Sequence, residues 1–395
     1  MLFTTLPMGY LQVVLPLYLN RTGLEPAFIG LLYTVSGFVT AVLVAFSGVL
    51  ADRFGRRHFF VWGTALPILS YAVFASTNAS SWLIVASVLG GVGLANGAAG
   101  ALTTAAFDAL LAEHTLETYR TRIFAAAQAL YSLALALGAA LSGLPEWMRQ
   151  VLPAMTDLDA YRPPFVLLML LAWLATLVAL PVRESQVASV APRTPGGGWL
   201  PRRSRAVILR YSLAVGAMGF GLGVAVQLMP LWFNLRFGVD ETILGPWYAV
   251  SQVLSIGGLV VATWLERRFG AGRCVLVAQL LGALLLALMV VAITYQVAAL
   301  LFVIRNVFAN VSWPLQQTLL MSAVPPEERA SAAGLGFAVW GFANALGPVV
   351  GGALMDAGSL NVPLLIGAPA YAFTGIVFGL WFRRPAPRGD LAETD

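Results

Sequence analysis

The feature that most restricts this chain is a succession of twelve apolar runs, near 1–20, 27–51, 59–77, 82–111, 123–144, 164–182, 209–235, 242–265, 274–293, 297–322, 330–356 and 362–382. A helix of about 20 such residues crosses a hydrocarbon core roughly 30 Å thick. No soluble globule of this size buries twelve of them. Charged residues make up 10% of the chain, against roughly 25% in soluble domains, and mean hydropathy is +0.82. Within lipid every backbone N–H and C=O must be paired internally, so the runs predict an all-α integral membrane protein with twelve transmembrane helices. The first run lacks a basic n-region and a small-residue cleavage site and reads as a retained span. It is also short on its inner side, as if the chain's start were placed too late.

Charge sets the orientation. All 23 basic residues are arginines, and with both termini cytoplasmic 18 of them fall in inside segments. Four lie outside, Arg21, Arg149, Arg162 and Arg236, and Arg305 lies within a span. That is the positive-inside pattern, expected here for a bacterial cytoplasmic membrane. The arginines are scattered between apolar runs and form no nucleic-acid-binding face. A single cysteine, Cys274, excludes an internal disulfide and a cysteine metal cluster. No nucleophile-base arrangement, metal-ligand spacing or phosphate loop is present, so no enzyme, no metal and no cofactor is expected. "GGVGLANG" (90–97) follows no strand and reads as helix packing. The sequon Asn78-Ala79-Ser80 sits on a short loop and carries no inference.

The polar interval "RESQVASVAPRTPGGGWLPRRSRAVI" (183–208) divides six spans from six. We therefore assign a bundle over 1–183, a linker over 184–208, a second bundle over 209–384 and a tail over 385–395. The bundles are copies. "LPLYLN" (15–20) matches "MPLWFN" (229–234), "IGLLYTVS" (29–36) matches "LGPWYAVS" (244–251), and "LGAALSG" (137–143) matches "LGPVVGG" (346–352). Parallel repeats of this kind belong to transporters that bind substrate between their halves.

The loop "GVLADRFGRR" (48–57) resembles the signature between spans two and three of the major facilitator superfamily, with every fixed position present. The resemblance extends over the whole chain through the span count, the linker and the degenerate second copy "TWLERRFGAGRCV" (263–275). It implies two six-helix bundles around a cavity that opens alternately to each side. It also implies a conformational latch of Gly48, Asp52, Arg53, Gly55 and Arg56 with Asp108 in span four, favouring the outward-facing state. The second copy has Arg267 where the first has Asp52. "NALGPVVGG" (344–352) resembles an element that drug/proton antiporters carry in span five, although here it lies in span eleven.

Deep polar residues mark the cavity. Arg305 is the one charge near mid-membrane, and Asn306, Asn310, Trp313 and Gln317 follow on its helix face at three- and four-residue spacing. The substrate-binding set is completed by Gln12, Asn96, Gln128, Tyr131, Gln227, Trp340 and Asn344, with Tyr33, Tyr248 and Gln252 as further lining residues. Asp108 and Asp356 are the carboxylates suited to proton coupling, and Asp356 is placed to approach Arg305. These features point to a monomeric secondary transporter, partnered by a small-molecule substrate and lipid, that exports amphipathic molecules in exchange for protons. The alternatives are uptake or exchange of an anionic metabolite bound by Arg305, and a lipid-translocating or sensor protein on the same fold.

Overall fold

The computed structural model describes residues 2–90, 97–113, 115, 117–182 and 204–382; within these, the side chains of 45, 47–54, 56, 104–106, 108–110, 112–113, 117–118, 120–121, 125, 259–260 and 330 lie outside the description. Each apolar run becomes helix. The first half holds α1 (Leu2–Arg21), α2 (Pro26–Phe54), α3 (Arg56–Ser76), α4 (Ser80–Gly90), α5 (Gly97–Glu113), α6 (Glu117–Ala140), α7 (Leu144–Val151) and α8 (Arg162–Ala179). The second holds α9 (Arg205–Ala225), α10 (Met229–Phe237), α11 (Glu241–Phe269), α12 (Ala271–Val290), α13 (Tyr295–Ala323), α14 (Arg329–Asp356) and α15 (Val362–Trp381). Among the described residues ten helical stretches are long and apolar enough to cross a bilayer, and α11, bent by 43° between Gly258 and Val261, is an eleventh. The fourth run is the pair α4 and α5, so the twelve runs are accounted for.

Outward faces carry large apolar side chains such as Val178, Leu209, Leu213 and Leu284, each more than half exposed. In water such a surface would aggregate; against acyl chains it costs nothing. Between helices, where lipid removes the hydrophobic driving force, close backbone approach does the packing, and glycine permits it.

The duplication is visible in the backbone. Gly55 and Gly270 occupy equivalent turns, with φ of +89° and +82°, and Gly23 and Gly238 another pair, with φ of +87° and +68°. Side chains are strained at such angles, so the turns require glycine. Asp240 starts α11 by accepting hydrogen bonds from the backbone N–H groups of Thr242 (3.1 Å) and Ile243 (3.2 Å).

Two seams join the halves, and they are copies of each other. In one, α2 meets α14: a methyl carbon built on Gly30 would lie 2.2 Å from the Pro348 carbonyl oxygen. In the other, α11 meets α6: a methyl carbon on Gly245 would lie 2.4 Å from the Ala139 carbonyl oxygen. Gly30 and Gly245 are repeat partners, as are Pro348 and Ala139. In the first seam the Thr34 hydroxyl also accepts the Val349 N–H at 3.0 Å. The approach then loosens along the helices, from 2.3 Å at Gly352 to 2.9 Å at Gly37 and 3.5 Å at Gly341 for the nearest atom to an added methyl. The halves are thus closed against each other at the end that carries the α1–α2 turn.

A methyl group at Gly30 should prise this end apart, since overpacking a tight contact costs about 1–3 kcal/mol. In a Cys274→Ser background, Gly30→Ala is expected to speed labelling of Thr34→Cys by an impermeant maleimide. Gly257→Ala, with nothing within 4 Å of the added carbon, should leave the rate unchanged.

Candidate functional site

At the closed end the seam between α11 and the first half carries a buried carboxylate. Glu241, the first residue of α11, is 1% exposed. Arg21, in the last turn of α1, meets it with both terminal nitrogens, at 3.2 Å each. Tyr161, just before α8, donates its hydroxyl to the same carboxylate and is itself hydrogen-bonded to Arg21. The Ser142 hydroxyl donates to the Glu241 backbone carbonyl at 2.7 Å. Each charge sits at the helix end whose dipole favours it, an acid at an N-terminus and a base at a C-terminus. All three partners belong to the first half and Glu241 to the second, so this cluster exists only while that end is shut.

Deeper in the fold lies a second polar group. Arg305 on α13 is 2% exposed. Its guanidinium packs 4.5 Å from the centroid of the Tyr371 ring on α15, and Nη1 donates to Asn306 Oδ1 at 2.8 Å. Nε and Nη2 have no hydrogen-bond partner. An arginine at mid-membrane costs about 2.5–3.5 kcal/mol on insertion scales. A desolvated cation–π contact returns about 2 kcal/mol, and one charge-assisted hydrogen bond about 1.5–3 kcal/mol. The charge is therefore tolerable without an acid beside it, and none is paired with it among the described residues.

Tyr248 on α11, its ring tilted 4.9 Å from that of Phe302, lies within electrostatic range of both Arg305 and Tyr33 on α2. The hydroxyls of Tyr33 and Tyr248 are buried without partners, as is that of Tyr10. Tyr33 and Tyr248 are repeat partners, one from each half. The group thus straddles the interface between the bundles.

The other sequence candidates divide. Asn306 and Asn310 donate to Ser251 and Ser255 at 3.0 Å each, a four-residue ladder holding α13 to α11. Gln227 Nε2 donates to Asn344 at 3.2 Å, while its own carbonyl oxygen has no partner. Trp313 and Trp340 pack with ring centroids 5.3 Å apart. Gln12, Tyr131 and Gln317 are half-buried, and Gln128 is exposed; the structure does not gather these four around Arg305. Beside Gln317, Gln316 is fully buried and donates to Ser312 at 3.3 Å, in a network with Gln279. The approach of Asp356 to Arg305 is corrected. Asp356 is the exposed last residue of α14 and makes no ion pair with that arginine.

Asn96 lies outside the described residues. Gly48, Asp52 and Arg53 fall in the last turns of α2, Arg56 opens α3 and Asp108 falls in α5, but their side chains lie outside the description. Of the latch, Gly55 is described, with φ of +89° between α2 and α3.

Sequence reasoning missed Arg21, Ser142, Tyr161, Glu241 and Tyr371. Opposite charges at the end of span one and the start of span eight were a signal. Nothing in one sequence pairs positions 220 residues apart.

A model of the Major Facilitator Superfamily matches residues 1–344 and, a second time, 264–393. The chain is similar to the multidrug resistance protein MdtH of Shigella sonnei, 26% identical over 401 residues that cover 97% of this chain and 93% of that protein. It is also similar to an uncharacterized membrane protein of Saccharomyces cerevisiae, 21% identical over 380 residues covering 88% and 84%. Among solved structures it resembles the nucleoside transporter NupG, with a TM-score of 0.72 at 13% identity over 95% of this chain and 97% of that one. A D-xylose-proton symporter gives 0.69 at 17% identity over 98% and 97%. These likenesses carry the fold.

A double-mutant cycle tests the Glu241 bridge. Arg21→Gln and Glu241→Gln are each expected to lower the melting temperature of purified protein. Their coupling energy should be about 1–3 kcal/mol, the range for residues in one buried network; additive effects would show that the pair contributes nothing jointly.

Proposed function

Because the chain belongs to the Major Facilitator Superfamily and is a membrane transporter of a small molecule, not an enzyme, we propose that it exports amphipathic molecules across a bacterial cytoplasmic membrane in exchange for protons. The observation that carries the reading is the pair of glycine seams shut at one end, with Glu241 bridged across the halves. A contact that tight in backbone and that polar in side chain is bistable: water can replace its hydrogen bonds when the halves part, so closing and opening differ little in free energy. The halves, 1–183 and 209–384, rock about the central group as units joined by 184–208. Orientation by the positive-inside rule puts the closed end outside.

The amphipathic class is supported by the mixture of aromatic rings and few polar groups around Arg305, and by the multidrug relatives. Asp52, Arg53 and Arg56, positioned by Gly48 and Gly55, latch the opposite end against Asp108. The carboxylates that would change surroundings during the cycle are Asp108 and Asp356, with Glu241 added by its place in the seam.

Inverted vesicles containing the protein should take up a lipophilic dye when energised, and a protonophore should abolish the uptake. Asp52→Asn should insert normally and lose most of that activity. Uptake equal to that of empty vesicles would contradict export.

A further inference from the structure

We propose that Arg305, with Tyr248 beside it, forms a carboxylate-binding site, so that the molecules transported are amphipathic organic anions; this rests on the transporter reading above and narrows its substrate. The argument turns on which edge of the guanidinium is free. One face lies on Tyr371, 4.5 Å from the ring centroid. Nη1 is engaged by Asn306 at 2.8 Å. What remains is the edge formed by Nε and Nη2, both buried and both without a partner. Those two N–H groups are parallel, and a planar group with two oxygens engages them together.

Stacking on Tyr371 and the bond to Asn306 fix the plane of the fork before any ligand arrives. A preorganised fork loses little freedom on binding. The hydroxyls of Tyr248 and Tyr33 are likewise buried without partners and stand within electrostatic range of each other and, for Tyr248, of Arg305. Tyr248, the one in range of Arg305, can donate to the same anion. Buried polar atoms almost always have partners, so two unpartnered N–H groups on one buried guanidinium, with an unpartnered hydroxyl in range of it, describe a receptor for an acceptor-rich group. Phe302, whose ring lies tilted 4.9 Å from that of Tyr248, offers the apolar body of such a ligand an aromatic wall.

Three dansyl probes with one aromatic body test this in fluorescence titrations of the purified full chain: dansylglycine (carboxylate), dansylamide (neutral) and dansylcadaverine (amine). Dansylglycine is expected to bind at least about tenfold more tightly than the other two, the scale of a charge-assisted pair. Arg305→Gln should erase the preference without weakening dansylamide, and Arg305→Lys, which keeps the charge and loses the fork, should erase most of it. Arg305→Leu, which removes a buried charge that has no acid paired with it, should melt no lower than wild type in the absence of probe. Equal affinity for the three probes, no binding of dansylglycine, or a preference that survives Arg305→Gln would overturn the site. Failure of the export reading looks different. Dansylglycine would bind in an Arg305-dependent way and yet not move in energised inverted vesicles. Extrusion of dansylamide and dansylcadaverine with no anion preference would keep export and remove this site.

Discussion

The structure depends on two places where helices from opposite halves approach to backbone contact at a glycine. At Gly30 against Pro348, and at Gly245 against Ala139, an added methyl carbon would fall within 2.4 Å of a carbonyl oxygen. In lipid, where apolar side chains gain nothing by leaving the solvent for each other, such contacts and the polar bonds they permit are the main source of association. The same repeat positions supply both seams. Gene duplication therefore built an interface with approximate twofold symmetry.

Divergence then made the halves unequal in chemistry. Among the described residues the seam at α2 carries the Thr34–Val349 bond and a Phe38–Phe342 ring contact beside its glycines, whereas the seam at α11 has gained the Glu241 cluster. Gly91 is the repeat partner of Arg305, so the fixed positive charge at the centre belongs to one half alone. Tyr33 and Tyr248 stayed alike and sit across the interface. Symmetric parts carry the motion and asymmetric parts carry the chemistry.

Much of this was legible in the residues. Runs of about 20 apolar residues leave little freedom in lipid, and over the described residues the predicted spans are helical but for short breaks. The duplication was readable because glycine turns and small-residue elements resist substitution: Gly55 and Gly270 kept identity and geometry, and "LGAALSG" and "LGPVVGG" kept three of seven residues. Arg305 was legible because a charge in an apolar run is costly. What could not be read was pairing. Asn306 and Asn310 share the helix face with Trp313, as spacing required, but their bonds go to Ser251 and Ser255 on a helix more than 50 residues away in sequence. Helical periodicity gives the face of one helix and not its neighbour. The Glu241 bridge joins residues of both halves and needed the tertiary structure.

The central claim, that the halves move as units about the two seams, is tested most directly by electron-electron resonance distances between spin-label pairs in a Cys274→Ser background reconstituted in nanodiscs. One pair, at Gln150 and Ile293, spans the closed end; the other, at His58 and Arg268, spans the opposite end. Glu241→Gln is expected to lengthen the first distance and shorten the second in the same sample, the signature of two rigid bodies rocking on a central axis. A change at one end alone, or changes of the same sign at both ends, would contradict it.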